Sequence, residues 1–219
     1  KKQYFLVDDE DTLKQLSASI KRSSQMAVSV ISTGQNYIFD DMIGLAVSSN
    51  VGESYYIPLN QKTQSDDLFS VSTPSKQISK TQFEKYLKPL FESKSILKIG
   101  SNIKNSMHFI IKYFGKTNFE PYDDISVMSY CLSSSEHSHD VNSLVKVYFD
   151  EDLPKLDDIQ GSGKNKIELS VLETEVLKNY MCEQADYICR LHDILKQNLI
   201  SEKRTSVYEI FDRPLVKTL

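Results

Sequence analysis

The sequence predicts an α/β fold with a mixed, mainly five-stranded sheet flanked by helices. Two observations predict it. Three β-rich runs follow one another early, at residues 26–31, 42–48 and 53–59, and Asn50-Val51-Gly52 is a hairpin turn signal between the last two. Helical periodicity then alternates with one further short strand at 96–99, which runs into Gly100. A meander followed by helices and another strand suits a mixed sheet covered by helices.

Leu13, Leu16 and Ile20 recur at helical spacing behind Asp8-Asp9-Glu10-Asp11, which reads as a capped first helix. Residues 61–76 are polar, rich in Ser, Thr and Asp, and read as an exposed loop. A helix is expected over 80–93, with Pro89 ending or kinking it. Residues 102–114 are amphipathic, with Ile103, Met107, Ile110 and Phe114 on one side. Residues 124–132 and 140–149 read as helices, and 150–166 as an irregular, charged connector. Ser170 opens a long helix carrying Leu172, Val176, Tyr180, Ala185, Ile188, Leu191, Leu195 and Leu199 at rough helical period. Residues 207–219 start another amphipathic helix, interrupted by Pro214. There is no internal repeat and no coiled coil.

At 219 residues, 40% hydrophobic and 26% charged, the chain is long enough for a sizeable core and globular rather than disordered. No apolar run reaches membrane-spanning length and no signal peptide opens the chain. The first residue is Lys, as in an excised domain. Cys131, Cys182 and Cys189 are odd in number and not spaced as zinc ligands, so core thiols in a reducing compartment are expected. Net charge is −4, and the one basic cluster, Lys164 and Lys166, reads as a solvated loop. Strong affinity for nucleic acid is not expected of this segment alone.

Several chemistries find no support. Gly34, Gly44 and Gly52 do not form a phosphate loop, and no Gly-x-Ser-x-Gly occurs. His137 and His139, beside Glu136 and Asp140, lack a placed third metal ligand and read as incidental. His108 is expected to pack on the following helix, and His192 to lie on a helix surface.

Three segments are more informative: Ala27-Val28-Ser29-Val30-Ile31-Ser32-Thr33, Gly100-Ser101-Asn102-Ile103-Lys104-Asn105-Ser106, and Tyr180-Met181-Cys182-Glu183-Gln184-Ala185-Asp186. They resemble the three motifs of a DEDD-type 3′–5′ exonuclease. Tyr56-Ile57-Pro58-Leu59, Leu87-Lys88-Pro89-Leu90, Lys98-Ile99-Gly100, His139-Asp140-Val141-Asn142, Gly161-Ser162-Gly163-Lys164-Asn165 and Arg213-Pro214-Leu215-Val216 add collinear matches. Together they resemble the 3′–5′ exonuclease domain of bacterial DNA polymerase I, a family A polymerase. The resemblance implies a ribonuclease H-like fold over residues 1–206. It implies that 207–219 begin a helical connection to a polymerase domain, and that the setting is a bacterial cytoplasm.

The family's active members place Asp-x-Glu in the first motif, Asp in the second and Tyr-x-x-x-Asp in the third. In the register read here those acids are Ile31, Thr33, Ser106 and Gln184, and only Tyr180 is retained. Two-metal cleavage needs hard anionic ligands for Mg²⁺ or Mn²⁺. Four carboxylates are missing, so no catalytic residue, no metal ligand and no cofactor is expected in this domain. Glu183, Asp186, Asp40, Asp41, Asp123 and Asp124 are the acids that could rebuild a site, with a structural contact as the plainer role of Asp186 and N-capping that of Asp124.

Three functions stay open at this point. The first is an inactive proofreading domain kept as a structural part of a DNA polymerase I, monomeric, reaching DNA through its polymerase domain. The second is an active metal-dependent exonuclease with displaced ligands, which metal titration of an oligonucleotide digest separates from the first. The third is a single-stranded DNA or protein-binding module without chemistry, which salt-dependent binding would support.

Overall fold

The computed structural model describes residues 2–62, 76–115, 117–135, 137–161, 163 and 166–217. Glu136, Lys164, and all but the ends of the expected loop at 61–76 lie outside the described residues. Six strands form one sheet in the order β1-β4-β3-β2-β5-β6. Strands β2 (Gln25–Ser32), β3 (Met42–Asn50) and β4 (Glu53–Pro58) are the antiparallel meander. Gly52 makes its second turn at φ 83°, a conformation open to glycine at little cost. Strand β5 (Leu97–Gly100) pairs parallel with β2.

The remaining strands, β1 (Gln3–Leu6) beside β4 and β6 (Tyr122–Asp124) beside β5, are both short parallel edges. The sheet is therefore one strand larger than the expected five, within the expected mixed α/β architecture.

Helix α1 (Glu10–Ser23) starts where Asp9 accepts from the Thr12 N–H at 2.8 Å. Helix α2 (Lys80–Glu92) opens on a Ser79–Gln82 capping box. It runs three residues beyond Pro89, so Pro89 does not end it. Helices α3 (Ile103–Phe114), α4 (Ile125–Leu132), α5 (Val141–Phe149) and α6 (Leu156–Gln160) follow. The long helix, α7 (Thr174–Ser201), begins four residues after the expected Ser170, which lies in a 3₁₀ turn at Leu169–Val171. A final helical run spans 205–215, with a π-helical turn at Tyr208–Asp212.

Alternation along β2 decides which layer each residue meets. Met26 and Val28 pack with Leu13, Leu16, Phe83 and Ile110 on one face. Ala27 and Ile31 point to the other, where α7 supplies Leu177, Met181, Ala185 and Ile188. Helix α7 is thus the strut behind the meander, and its middle passes the end of β2. Among the described residues, no helix is long and apolar enough to cross a membrane.

Candidate functional site

Four chain segments meet around a groove of about 270 Å³: the second half of β2, the start of α3, the start of α5 and the middle of α7. Ser29 lines it from β2, Ser106 from α3, Asp140 and Asn142 from α5, and Gln184 from α7. Local chain geometry sets each one. Ser29 shares the α7-facing side of β2 with Ala27 and Ile31. Asn102, left-handed at φ 49°, turns the chain from β5 into α3 and carries Ser106 into the first turn. That turn is held by Asp124, which accepts from the Ile103 N–H at 2.8 Å and from Ser126 N–H at 2.9 Å, capping α3 and α4 together.

Of the expected site residues, the structure brings Ser106 and Gln184 together in this groove, 7% and 8% exposed. Ile31 and Tyr180 meet elsewhere on the same face, in the apolar cluster under α7, with Ile31 buried and Tyr180 packed at its margin. Burial, with Asp158 adding, pushes the Tyr180 hydroxyl above its ordinary value.

Thr33 does not reach the groove, although the motif register aligns it with one of the site's acids. The β2–β3 pairing slips between Ile31 and Ser32. Thr33 lies past that irregularity, exposed, where its Oγ1 accepts from the Asp41 N–H at 3.0 Å and it lines a different cavity of about 610 Å³. Ser29, which the sequence reading passed over, stands at the groove instead. The signal was present in the strand's period-2 pattern, but that pattern is blind to a slip of two.

Each alternative acid has a structural partner. Glu183 accepts from Lys2 Nζ at 2.6 Å. Asp186, fully buried, accepts from the Gly52 N–H at 2.6 Å and from Arg190 at 2.9 Å, so it pins the β3–β4 turn to α7. Asp40 accepts from the Asn36 N–H and Asp41 pairs with Lys112. Asp140, at the rim, caps α5 by accepting from the Ser143 N–H at 3.0 Å and takes the Ser138 and Ser143 hydroxyls. Asp123 is held by His192, Tyr208 and Arg213.

The histidines correct two expectations. His192 is buried, with Nε2 2.9 Å from Asp123 Oδ2. His108 stacks on Tyr37 of the β2–β3 loop at 4.2 Å rather than on the following helix. His139 Nδ1 lies 2.9 Å from Ser129 Oγ. All three cysteines are buried and free, and burial pushes the Cys131 thiol up to about 11 and Cys189 up to about 12. Neither is a nucleophile at neutral pH.

The groove therefore offers only neutral hydroxyls, from Ser29, Ser101 and Ser106, and neutral amides, from Asn102, Asn105, Asn142 and Gln184, with one carboxylate, Asp140, already spent on a helix cap. Among the described residues, no group of three or more His, Cys, Asp or Glu is placed to hold a metal ion. Hard divalent ions need anionic oxygens, and this donor set does not fit a pair of them.

Comparison with known proteins places the chain. Residues 4–200 match the family described as 3′-5′ exonuclease. DNA polymerase I of Rhizobium leguminosarum is 27% identical over 225 residues, which is 99% of this chain and 22% of that protein. DNA polymerase I of Pseudomonas aeruginosa is 27% identical over 160 residues, 72% of this chain and 16% of that protein. The chain thus spans about a fifth of the curated relatives it matches. Among solved structures, Brucella melitensis NrnC superposes with a TM-score of 0.69 at 18% identity, over 100% of this chain and 91% of that one. Escherichia coli RNase D superposes with a TM-score of 0.70 at 12% identity, over 99% and 50%. Those structural likenesses support the ribonuclease H-like fold. The family match over most of the chain decides the rest: this chain belongs to the 3′–5′ exonuclease domain family of the DNA polymerase I type.

Proposed function

We propose that this domain does not trim 3′ ends and serves as a structural part of a longer DNA polymerase I-like protein. The observation that carries the reading is the lining of the groove, where Ser29, Ser106 and Gln184 face one another with no free carboxylate. Placing the first motif at Ser29-Val30-Ile31 matches this geometry better than Ile31-Ser32-Thr33, and neither register supplies an acid. In such a protein the polymerase part is the intramolecular partner, DNA is reached through it, and the protein is a monomer in a bacterial cytoplasm.

The test is a digest of a 5′-labelled single-stranded oligonucleotide by the purified chain with Mg²⁺ or Mn²⁺. No shortening is expected even at equimolar protein. Metal-dependent release of nucleotides, lost on Glu183→Gln or Asp186→Asn, would establish the displaced-ligand nuclease instead.

A second reading, single-strand binding without cleavage, has one observation in its favour. A groove of about 570 Å³ shares Asn102 and Asn105 with the silent one and carries the stacked Tyr37–His108 pair and Lys104. Aromatic faces and a cation suit a nucleic-acid strand. Salt-dependent binding of a fluorescent single strand, weakened by Tyr37→Ala, would favour that reading.

A further inference from the structure

Gln184 and Asn142 meet in the groove as a side-chain amide pair. Gln184 Nε2 donates to Asn142 Oδ1 at 3.0 Å, and Asn142 Nδ2 donates onward to the Pro154 carbonyl at 3.3 Å. The relay runs from the middle of α7, through the second residue of α5, to the connector ahead of α6. The α5 end is fixed independently, because Asp140 caps that helix on the Ser143 N–H. Gln184 is fixed by burial at 8% exposure. Two amides so placed satisfy each other, and removing either leaves the other short of a partner in a confined site.

We propose that this relay is a metal-independent clasp that joins α7 to α5 and its connector. It occupies the position where the resemblance puts a metal-ligating Asp, and it has the chemistry of a hydrogen-bonded bridge rather than of a ligand. Side-chain length is part of the design. Asn at 184 would carry the same amide on a stem one methylene shorter and would leave Asn142 Oδ1 unmet. The inference rests on the silent-domain reading only in holding that no ion is needed. Its test reads stability, not cleavage.

Gln184→Met, Gln184→Asn, Asn142→Ala and the double variant Gln184→Met/Asn142→Ala are melted in EDTA and in millimolar Mn²⁺. Gln184→Met keeps the stem and its packing while removing the donor. Each single change is expected to lower Tm by about 2–4 °C, the shift a lost buried hydrogen bond gives in a chain of this size. The double variant should fall no further than the larger single one. The Gln184 side-chain NH₂ signal should exchange slowly in the unaltered chain and quickly in Asn142→Ala. Mn²⁺ should alter neither the Tm values nor their coupling. Additive losses, or a Gln184→Asn variant as stable as the unaltered chain, would overturn the clasp. So would coupling that appears only with Mn²⁺. An additive cycle without oligonucleotide trimming sinks the clasp alone. A metal-independent coupled cycle with trimming sinks the silent-domain reading alone.

Discussion

The groove at Ser29, Ser106 and Gln184 and the cluster around Asp123 of β6 are both places where distant elements bring polar side chains together under cover. In the groove the bonded pair is two neutral amides beside neutral hydroxyls, and the one carboxylate, Asp140, is spent on the α5 cap. In the β6 cluster, a carboxylate 5% exposed sits at the centre. Asp123 Oδ2 lies 2.9 Å from His192 Nε2, and Oδ1 accepts from Tyr208 at 3.0 Å and Arg213 at 3.2 Å. Burial alone would raise the Asp123 carboxyl, but His192, Tyr208 and Arg213 together hold it below its ordinary value. The difference lies in who supplies the counter-charge. In the β6 cluster the chain supplies its own donors, and the final helical run is held to the sheet by them. In the groove no side chain does so, and a set of carboxylates there would repel one another unless an ion joined them.

The largest test of this contrast is Asp123→Ala. It strands a buried histidine, a buried tyrosine and an arginine at once, and breaking a buried pair costs about 3–5 kcal/mol. Urea denaturation at neutral pH measures it. The pH dependence has a definite sign. Because the folded carboxyl titrates below its unfolded value of about 3.9, its stabilisation is whole above that pH and is lost as pH falls through the folded value. The gap between the unaltered chain and Asp123→Ala should therefore narrow below about pH 4. A loss under about 1 kcal/mol, the scale of an exposed pair, would mean that the network is not what keeps this acid in place.

Next in size is an attempt to turn the groove into the other kind of site. Ser29→Asp, Ile31→Glu, Ser106→Asp and Gln184→Asp together should destabilise the chain in EDTA, since carboxylates crowd, Ile31 leaves an apolar cluster and the amide relay is cut. Mg²⁺ or Mn²⁺ should then restore stability by mass action, by about 2.7 kcal/mol at a hundredfold excess over Kd. The quartet Ile31→Asp, Thr33→Glu, Ser106→Asp and Gln184→Asp should respond far less, because only two of its carboxylates, at 106 and 184, line the groove, against three in the Ser29 quartet. Melting both quartets across a metal series decides between the registers. A response from the Thr33 quartet alone would sink the geometric assignment.

That slip shows what the sequence could carry. Residues along a strand return to the same face every second position, so moving a motif by two preserves every pattern by which a buried strand is recognised. Only the third dimension, with Ser106 and Gln184 opposite Ser29, separates the registers. The long amphipathic helices and the meander were legible, since each repeats its signal over many residues. Strands β1 and β6 were not, at four and three residues with partners far along the chain. His192 was misread as a surface residue for a related reason. Its α7 face turns toward β6, and periodicity reports which residues share a face but not what stands opposite. Asp124 was legible as a helix cap from its position before 125–132, but its second role, holding the α3 start across the sheet edge, is a tertiary contact.

The smallest expected effect is the one that most sharply isolates the alternative chemistry. Glu183 adjoins Gln184 in sequence, so a displaced-ligand nuclease would draw on it first. The structure gives it to Lys2 at 2.6 Å, with side chains 38% and 24% exposed for Lys2 and Glu183. A pair that open to water contributes about 0–1 kcal/mol and weakens with salt. Glu183→Gln should therefore shift Tm by little at low salt, by less at high salt, and leave the Mg²⁺ and Mn²⁺ response of the chain unchanged. Neighbouring positions on a helix point about 100° apart, so facing the N-terminal strand and facing the groove exclude each other for Glu183. A metal-induced rise in Tm that disappears in Glu183→Gln would show that the side chain does swing into the groove. The contrast between self-supplied and ion-supplied counter-charge would then fail at the groove itself.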